Sequence, residues 1–363
     1  MSDQEFIFAP STVNVEFILL PVESVMNSLI LLNQAETTSG FGEWIERTYQ
    51  ALRPEERALH NTIFTALLSG YEYEDAAGSF PEYLDRIAAE QPYAAQARII
   101  ESFSHKCEFE NMEIAREGVL GDTETFLKAV EENIGAHYRE KGYELPLEPY
   151  VLGQELLRDP ERMHDAFVGH MRMIWEKYMR DEWYRNLPIL EESIAAFKQV
   201  DFSGMTAAEI IRSVTGRDLT PFWGELENAK QLAFMPSAHL GPYNSLFKRN
   251  DVWHIVFGAR MPEGVRTASP ALSRSELLVQ LNALADETRL QILELLAEHD
   301  ELCAQDFINM LDLSQSSASR HLRQLTAAGY LTERRKDVAK CYSLNPKRAN
   351  ATARALEQFL HGQ

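Results

Sequence analysis

The sequence has 363 residues, of which 45% are hydrophobic and 10% aromatic. With 35 Lys and Arg against 55 Asp and Glu, its formal net charge is −20. This composition is typical of a chain that folds in water, and the length exceeds the roughly 250 to 300 residues at which a single core stops growing, so we expect at least two domains. A membrane protein is excluded, because no stretch reaches the ~20 consecutive apolar residues of a spanning helix.

The N-terminal residues and the cysteines indicate the compartment. The opening residues MSDQEF lack the positive charge and apolar stretch of a secretory signal. Cys107, Cys303 and Cys341 are odd in number and widely spaced, which predicts reduced thiols rather than a disulfide framework. We therefore expect a cytoplasmic protein with free cysteines.

The negative charge is concentrated in the first three quarters of the chain. Residues 1–272 contain 24 basic and 43 acidic side chains, a net charge of −19, whereas residues 273–363 have a net charge of −1. Within that second part, residues 313–354 contain nine basic and two acidic side chains, a net charge of +7. A local basic surface of this kind predicts binding to phosphate groups, even in a protein that is acidic overall. A charged surface that contacts only solvent would have the same composition.

The chain divides at a segment rich in proline, glycine and small polar residues. This segment, Met261–Ser275, predicts a linker, which we place at residues 263–273. The linker separates an N-terminal domain at residues 1–262 from a C-terminal domain at residues 274–363.

The N-terminal domain is predicted to be mainly helical with a small antiparallel sheet. β-prone runs lie at Val13–Leu20, Gln231–Met235 and Val252–Phe257. Between them apolar residues recur at helical spacing, as after Pro54, and Thr206 with Glu209 has the pattern of a capping box. A predicted helix at Pro160–Tyr184 is rich in Met, Phe and Trp, so it either lines an adaptable apolar pocket or packs in the core, and core packing is favoured.

The C-terminal domain has the pattern of a winged helix-turn-helix. Its first three helices are predicted around Leu277–Leu284, Leu290–Leu296 and Ala304–Leu311. Ser314 is at the N-cap of the next helix, which continues to about Ala328 and ends at Gly329. Two strand-like runs follow, at Tyr330–Arg334 and Ala339–Leu344. They predict a β-hairpin wing with a cationic tip.

The helix after Ser314 has two different faces. Its core face is marked by Ala318, Leu322 and Leu325, which recur at helical spacing. Its solvated face carries polar side chains, namely Ser316, Ser319, Arg320 and Arg323. Hydroxyl and guanidinium groups reach base edges and phosphates in a DNA major groove, so this face predicts DNA binding.

Three segments in the C-terminal domain are similar to one known family. The residues LADETRLQILELL (284–296), LSQSSASRHLRQLTAAGYL (313–331) and KCYSL (340–344) resemble, in order and spacing, the ArsR/SmtB family of winged-helix transcriptional regulators. The resemblance covers about 90 residues, a quarter of the chain. It implies a regulator of transcription, a repressor rather than an activator, that binds an inverted repeat in double-stranded DNA as a homodimer.

The resemblance also assigns residues to DNA. Those it places in the major groove are Gln315, Ser316, Ser319 and Arg320, with Arg323 on phosphate and Arg335 and Lys336 in the wing. His321 follows the family's SxHL pattern, and helix packing and a DNA contact are equally expected for it.

Dimers of this family pair their first and last helices across a twofold axis. Here those helices are Ser275–Leu284 and Asn350–Leu360. The side chains predicted to form the interface are Leu277, Leu281, Leu356, Phe359 and Leu360. Two copies would place their recognition helices about one duplex turn apart.

Metal sensing and cofactor binding are not expected. Residues 301–306 read ELCAQD, which is similar to the family's arsenic-sensing ELCVCD with Gln305 in place of the second thiolate. A single cysteine does not make the multi-thiolate site that soft metals select. The zinc sensors carry paired His and carboxylate ligands near the C-terminus, where His361 stands alone. Cys303 and Cys341 are therefore predicted to be small packed residues.

The N-terminal domain carries none of the catalytic signatures GxxxxGK, GxGxxG, GxSxG and HExxH. Some regulators of this family carry a long N-terminal extension of unassigned role, and this chain looks similar. We predict that the domain is not an enzyme, senses a small molecule or a partner, and lies away from the DNA because it is acidic. Two alternatives stay open: an enzyme fused to a regulatory DNA-binding domain, and an interaction module that recruits a partner to DNA.

Overall fold

The structure, a computed structural model, describes residues 13–140, 144–217, 219, 224–262, 270–336 and 339–361. The expected architecture, mainly α with small β elements, is confirmed. None of the helices in these ranges has the length and apolar character needed to cross a bilayer.

The N-terminal part is a helical assembly that ends in a small sheet. Its helices are α1 (Pro21–Asn33), α2 (Glu43–Ala51), α3 (Pro54–Thr62), α4 (Phe80–Ala88), α5 (Pro92–Lys106), α6 (Met112–Leu120), α7 (Thr123–Glu140), α8 (Glu148–Leu157), α9 (Pro160–Ile174), α10 (Arg180–Phe197) and α11 (Ala207–Thr215). Its strands are β1 (Asn14–Phe17), β2 (Gln231–Ser237), β3 (Asn244–Arg249) and β4 (Val252–Gly258). A π-helical turn, Trp175–Met179, joins α9 to α10, so the helix predicted at Pro160–Tyr184 continues to Phe197.

Local sequence signals set where these helices begin. Proline occupies the first turn of α1, α3, α5 and α9, where the backbone N–H that it lacks would have no intrahelical partner. The predicted capping box at α11 is present: the hydroxyl of Thr206 accepts from the backbone N–H of Glu209, and the Glu209 carboxylate accepts from the backbone N–H of Thr206. These starts are therefore local properties of the sequence.

The sheet of the N-terminal part is mixed, with the order β1-β2-β4-β3. The predicted antiparallel arrangement is wrong, because β1 pairs with β2 and β2 with β4 in parallel, and β3 with β4 is antiparallel. All the helices α1–α11 lie between β1 and β2, and such a long connection permits parallel pairing. Strand β3, at the edge of the sheet, was not predicted; it turns into β4 through Asn250 and Asp251, both with positive φ.

The Met-rich and aromatic stretch of α9 packs in the core. Met163, Phe167 and Met171 are each 0% exposed, which excludes the reading in which they line an open pocket. A second apolar cluster lies under the sheet, where Phe17 stacks on Phe197 and Phe234 with ring centroids 5.4 and 5.3 Å apart.

The C-terminal part forms its own apolar core around Phe307, Leu322 and Leu325. Its elements are α12 (Pro270–Leu284), α13 (Glu287–Glu298), β5 (Leu302–Cys303), α14 (Ala304–Leu311), α15 (Gln315–Ala327), β6 (Leu331–Lys336), β7 (Ala339–Leu344) and α16 (Pro346–His361). Strands β5, β7 and β6 form an antiparallel sheet in that order. Residues 270–273 of the predicted linker are helical, and residues 263–269 lie outside the described ranges.

Cys303 and Cys341 form a disulfide in the structure. The prediction of free, packed thiols is wrong for this pair, because β5 and β7 are paired in a register that sets Cys303 directly opposite Cys341. The two cysteines are 38 residues apart in the sequence, and their spacing does not reveal that neighbourhood. Cys107 is a free, buried thiol whose pKa is raised to about 11 by burial.

Candidate nucleic-acid interface

The orientation of α15 is fixed by its turn and its packing. Asp312 closes α14 with a left-handed backbone at φ 51°, and the hydroxyl of Ser314 accepts a hydrogen bond of 3.1 Å from the backbone N–H of Ser317. Leu322 and Leu325, both 0% exposed, hold the opposite face in the core. The polar face of α15 therefore points outward.

The residues predicted for the major groove lie together on the N-terminal half of α15. All are exposed, and they are Gln315, Ser316, Ser319 and Arg320. The Ser316 hydroxyl lies 3.1 Å from that of Ser314, at the start of the helix. This arrangement matches a recognition helix, whose first turns contact base edges in the known complexes of such folds.

The hairpin of β6 and β7 presents the predicted wing residues to solvent. Its register sets Arg335 opposite Lys340, and Lys336 follows at the end of β6. Lys340 forms an ion pair of 3.0 Å with Glu333, whereas Arg335 and Lys336 are exposed and pair with no carboxylate in the described ranges. Residues 337 and 338 lie outside those ranges.

The C-terminal half of α15 contacts the N-terminal part of the chain. The hydroxyl of Ser39 donates a hydrogen bond of 2.8 Å to Gln324 Oε1, and Arg323 Nη1 donates to Thr38 Oγ1 over 3.5 Å. Gly40, at φ 92°, completes this contact: a Cβ there would lie 2.8 Å from Gln324 Nε2, so the Gln324 amide packs directly against this glycine. We call residues 38–40 the docking loop.

Arg320 borders a cleft whose other wall belongs to the N-terminal part. The charged residues lining this cleft are Glu36, Glu43, Glu46, Arg47 and Arg320. We call it the acidic cleft, because three carboxylates line it together with Arg320, which is predicted to contact DNA. The expectation that the acidic domain lies away from the DNA-binding face is not met in this arrangement.

The role predicted for Arg323 needs correction. Helical spacing placed it on the solvated face, but its side chain is half-buried against the docking loop, and burial lowers the pKa of its guanidinium. In the docked arrangement it is turned towards the N-terminal part, so a contact with phosphate requires the loop to leave.

His321 packs inside the winged helix. It is 8% exposed, and its Nδ1 lies 3.5 Å from Oδ1 of Asp286, the N-cap residue of α13. Burial lowers the pKa of the imidazole. Of the two roles considered for His321, the structure supports packing.

The helices expected to pair across a dimer axis, α12 and α16, pack together through a 2.9 Å hydrogen bond from Thr352 to Gln280. The predicted interface residues differ in exposure: Leu277 is 6% exposed, Leu281 and Leu356 are half-buried, Phe359 is 45% exposed and Leu360 is 70% exposed. Leu277 is thus already packed within the chain. Leu278, which is 50% exposed and was missed, takes its place on the outer face.

Two further side chains, Gln324 and Arg289, were not predicted and form a hydrogen-bonded pair at the C-terminal half of α15. Arg289 Nη1 donates a hydrogen bond of 2.8 Å to the Gln324 oxygen that also accepts from Ser39. Both side chains are buried, at 6% and 3% exposed. No local pattern marked Gln324 or Ser39, because helical spacing puts Gln324 on the side of Arg320, four residues before it.

These features define the C-terminal part as a winged helix-turn-helix unit with an exposed polar recognition face. The family model described as "Bacterial regulatory protein, arsR family" matches residues 286–333. The chain belongs to this family of bacterial regulators.

Individual relatives support the assignment. The chain is 42% identical over 69 residues to the arsenic resistance transcriptional regulator ArsR1 of Pseudomonas putida, covering 19% of this chain and 54% of that protein. It is 48% identical over 63 residues to the arsenical resistance operon repressor of Escherichia coli, covering 17% and 54%. It is 33% identical over 82 residues to the corresponding repressor of Bacillus subtilis, covering 22% and 78%. The chain thus spans about half the length of the first two relatives.

Proposed function

We propose that this chain is a homodimeric transcriptional repressor that binds an inverted repeat in double-stranded DNA through α15 and the wing. The observation that carries the proposal is the exposed row of Gln315, Ser316, Ser319 and Arg320 on a winged helix whose relatives include operon repressors. Arginine pairs with guanine edges, and hydroxyl and amide groups complete the readout of a half-site.

The proposed dimer uses the outer face of α12 and α16. Leu278 on α12 and Phe359 and Leu360 on α16 are large apolar side chains exposed to solvent. A twofold pairing would bury them, and it would set two copies of α15 on the same side of the assembly.

The N-terminal part is proposed to control access to α15. In the docked arrangement the loop covers Arg323 and Gln324, and the carboxylates of the acidic cleft stand beside Arg320. Carboxylates in that position repel DNA phosphates. We therefore assign the docked arrangement to the state with low DNA affinity, in equilibrium with a released state that binds the operator.

The test begins with genomic fragments selected by the full-length protein, whose affinities are then measured over a range of salt concentrations. Arg320→Ala should weaken binding to the selected site by about 1–3 kcal/mol if its guanidinium reads a base. Arg116→Ala, which removes an exposed arginine of α6, is the matched control and should bind normally. Equal affinities for the two variants, or binding that does not fall with salt, would contradict the proposal.

A further inference from the structure

A partly open cavity lies between the N-terminal part and the winged helix, beside the C-terminal end of α15. On one side are the turn after α11 and the ends of β3 and β4, and on the other are α12, the end of α15 and the start of α16. Its volume is about 160 Å³. Cavities of about 150 Å³ in proteins hold a molecule the size of benzene, so the space suits a small organic molecule or an inorganic anion.

The lining of this cavity is cationic. Arg217, Arg260 and Arg348 border it, and its described lining residues include no Asp or Glu. Such a lining is unexpected in a chain with a net charge of −20. Guanidinium groups bind carboxylate and phosphate oxygens, so a small anion in this space would be attracted to its lining.

Two glycines hold two of these arginines in place. Gly216 ends α11 with φ 72°, and a Cβ on it would lie 2.1 Å from Arg260 Nη1, so the guanidinium rests directly on the glycine. Arg348 passes over Gly329, φ 83°, with its Nε 3.4 Å from the position of a Cβ there. Arg260 packs directly against a residue without a side chain, and Arg348 Nε donates a hydrogen bond of 2.8 Å to the carbonyl oxygen of Ala328, so both arginines are positioned rather than freely moving.

The cavity also presents donors that lack protein acceptors. The guanidinium of Arg217 donates no hydrogen bond to a residue in the described ranges, and burial lowers its pKa. Glu333, the carboxylate that opposes this effect, is already paired with Lys340. Asn244 Nδ2 is buried without an acceptor among the described residues. Buried donors without acceptors are costly, and an anion supplies the acceptors.

We propose that this cavity binds a small molecule through a carboxylate or phosphate group clamped by Arg217, Arg260 and Arg348. The bound anion would touch both parts of the chain: Arg217 and Arg260 precede the linker, whereas Arg348 begins α16 of the winged helix. A ligand that bridges both parts stabilises the docked arrangement, and it therefore lowers operator affinity. This regulatory consequence rests on the proposed function, whereas binding of the anion does not.

Titration calorimetry of the full-length protein with inorganic phosphate and, separately, with succinate tests the site and distinguishes the two anion classes. We expect saturable binding of at least one probe, weakened ten-fold or more by Arg217→Gln. The exposed-arginine variant Arg116→Gln and the wing variant Arg335→Ala/Lys336→Ala should bind as the unchanged protein does. A second cavity variant, Arg348→Gln, should also weaken binding, and circular dichroism checks that each variant is folded.

Two results would overturn the site. One is that neither phosphate nor succinate binds saturably to the full-length protein. The other is that Arg217→Gln and Arg348→Gln leave the measured binding unchanged. The regulatory step is read separately, as the loss of operator affinity caused by the probe in the unchanged protein but not in Arg217→Gln. Anion binding without that loss would keep the site and contradict its link to DNA binding. Failure of all DNA binding would contradict the proposed function and leave the calorimetric result standing.

Discussion

The recognition helix and the wing belong to one small unit, yet they have different surroundings. Arg323 and Gln324 of α15 contact the docking loop, whereas Arg335 and Lys336 of the wing are exposed to solvent. Recognition helices carry base readout, and wings mainly contact phosphates. Under the proposed function, docking of the N-terminal part would control sequence-specific binding, while the cationic wing would stay accessible to DNA.

The largest expected effect concerns the disulfide that joins the start of α14 to the wing strand. Cys341→Ser should lower the free energy of unfolding of the winged helix by about 2–4 kcal/mol, because the cross-link restricts the unfolded chain. Hydrogen exchange of the β6 and β7 amides measures this change. Cys107→Ala, which leaves the disulfide intact, is the control, and equal protection in the presence and absence of reductant would show that the cross-link does not hold the wing.

The next effect concerns the region that carries the docking loop. His60 Nδ1 lies 3.0 Å from His170 Nε2 in the core, and burial lowers the pKa of His60 to about 3 and that of His170 to about 4. Below pH 6.5 both histidines become protonated in the unfolded chain but stay neutral in the folded chain. The free energy of unfolding therefore falls as the pH drops from 6.5 towards 4. We expect a loss of about 1.4 kcal/mol per pH unit for each histidine in that window. Denaturant unfolding at pH 7 and pH 5.5 measures it, and equal stabilities would contradict the buried pair.

The wing should contribute binding that does not depend on sequence. Arg335→Ala/Lys336→Ala should weaken operator and unrelated DNA alike, by about ten-fold, because both side chains neutralise phosphates. The slope of log affinity against log salt should become shallower by about 2. Arg320→Ala should instead reduce the preference for the operator. If the wing variant loses sequence preference, the division of roles between helix and wing is wrong.

The smallest effect should come from the docking loop itself. Thr38→Ala/Ser39→Ala removes the side-chain hydrogen bonds to Arg323 and Gln324, which together contribute about 0.5–1.5 kcal/mol to the docked state because the 3.5 Å bond from Arg323 is weak. Operator affinity should rise about three- to ten-fold as the released state becomes more populated. Thr37→Ala is the matched control, since the Thr37 hydroxyl donates to the backbone oxygen of Gln34 and not to α15. Unchanged affinity in the double variant would separate the docking contact from DNA binding.

Local sequence signals were enough to predict which face of α15 is polar. Features that depend on contacts between distant parts of the chain could not be predicted. Ser314 as N-cap and the spacing of Leu322 and Leu325 orient α15 without knowledge of the rest of the chain. The Ser39–Gln324 contact joins residues 285 positions apart, and no periodicity encodes it. The predictions of free cysteines and of an antiparallel sheet were wrong for the same reason, because both features depend on which distant segments of the chain pair. The interface could thus be predicted as a set of residues, but not as a surface that another part of the chain contacts.

The central claim is that operator DNA replaces the docking loop on α15. Hydrogen exchange of the full-length protein, measured with and without the selected operator, tests both halves of that claim at once. We predict slower exchange in residues 315–320 and at Arg335 and Lys336 when DNA is bound, together with faster exchange in residues 38–40. Protection elsewhere in the chain with no change in α15, or a docking loop whose exchange is unaffected by DNA, would contradict the account.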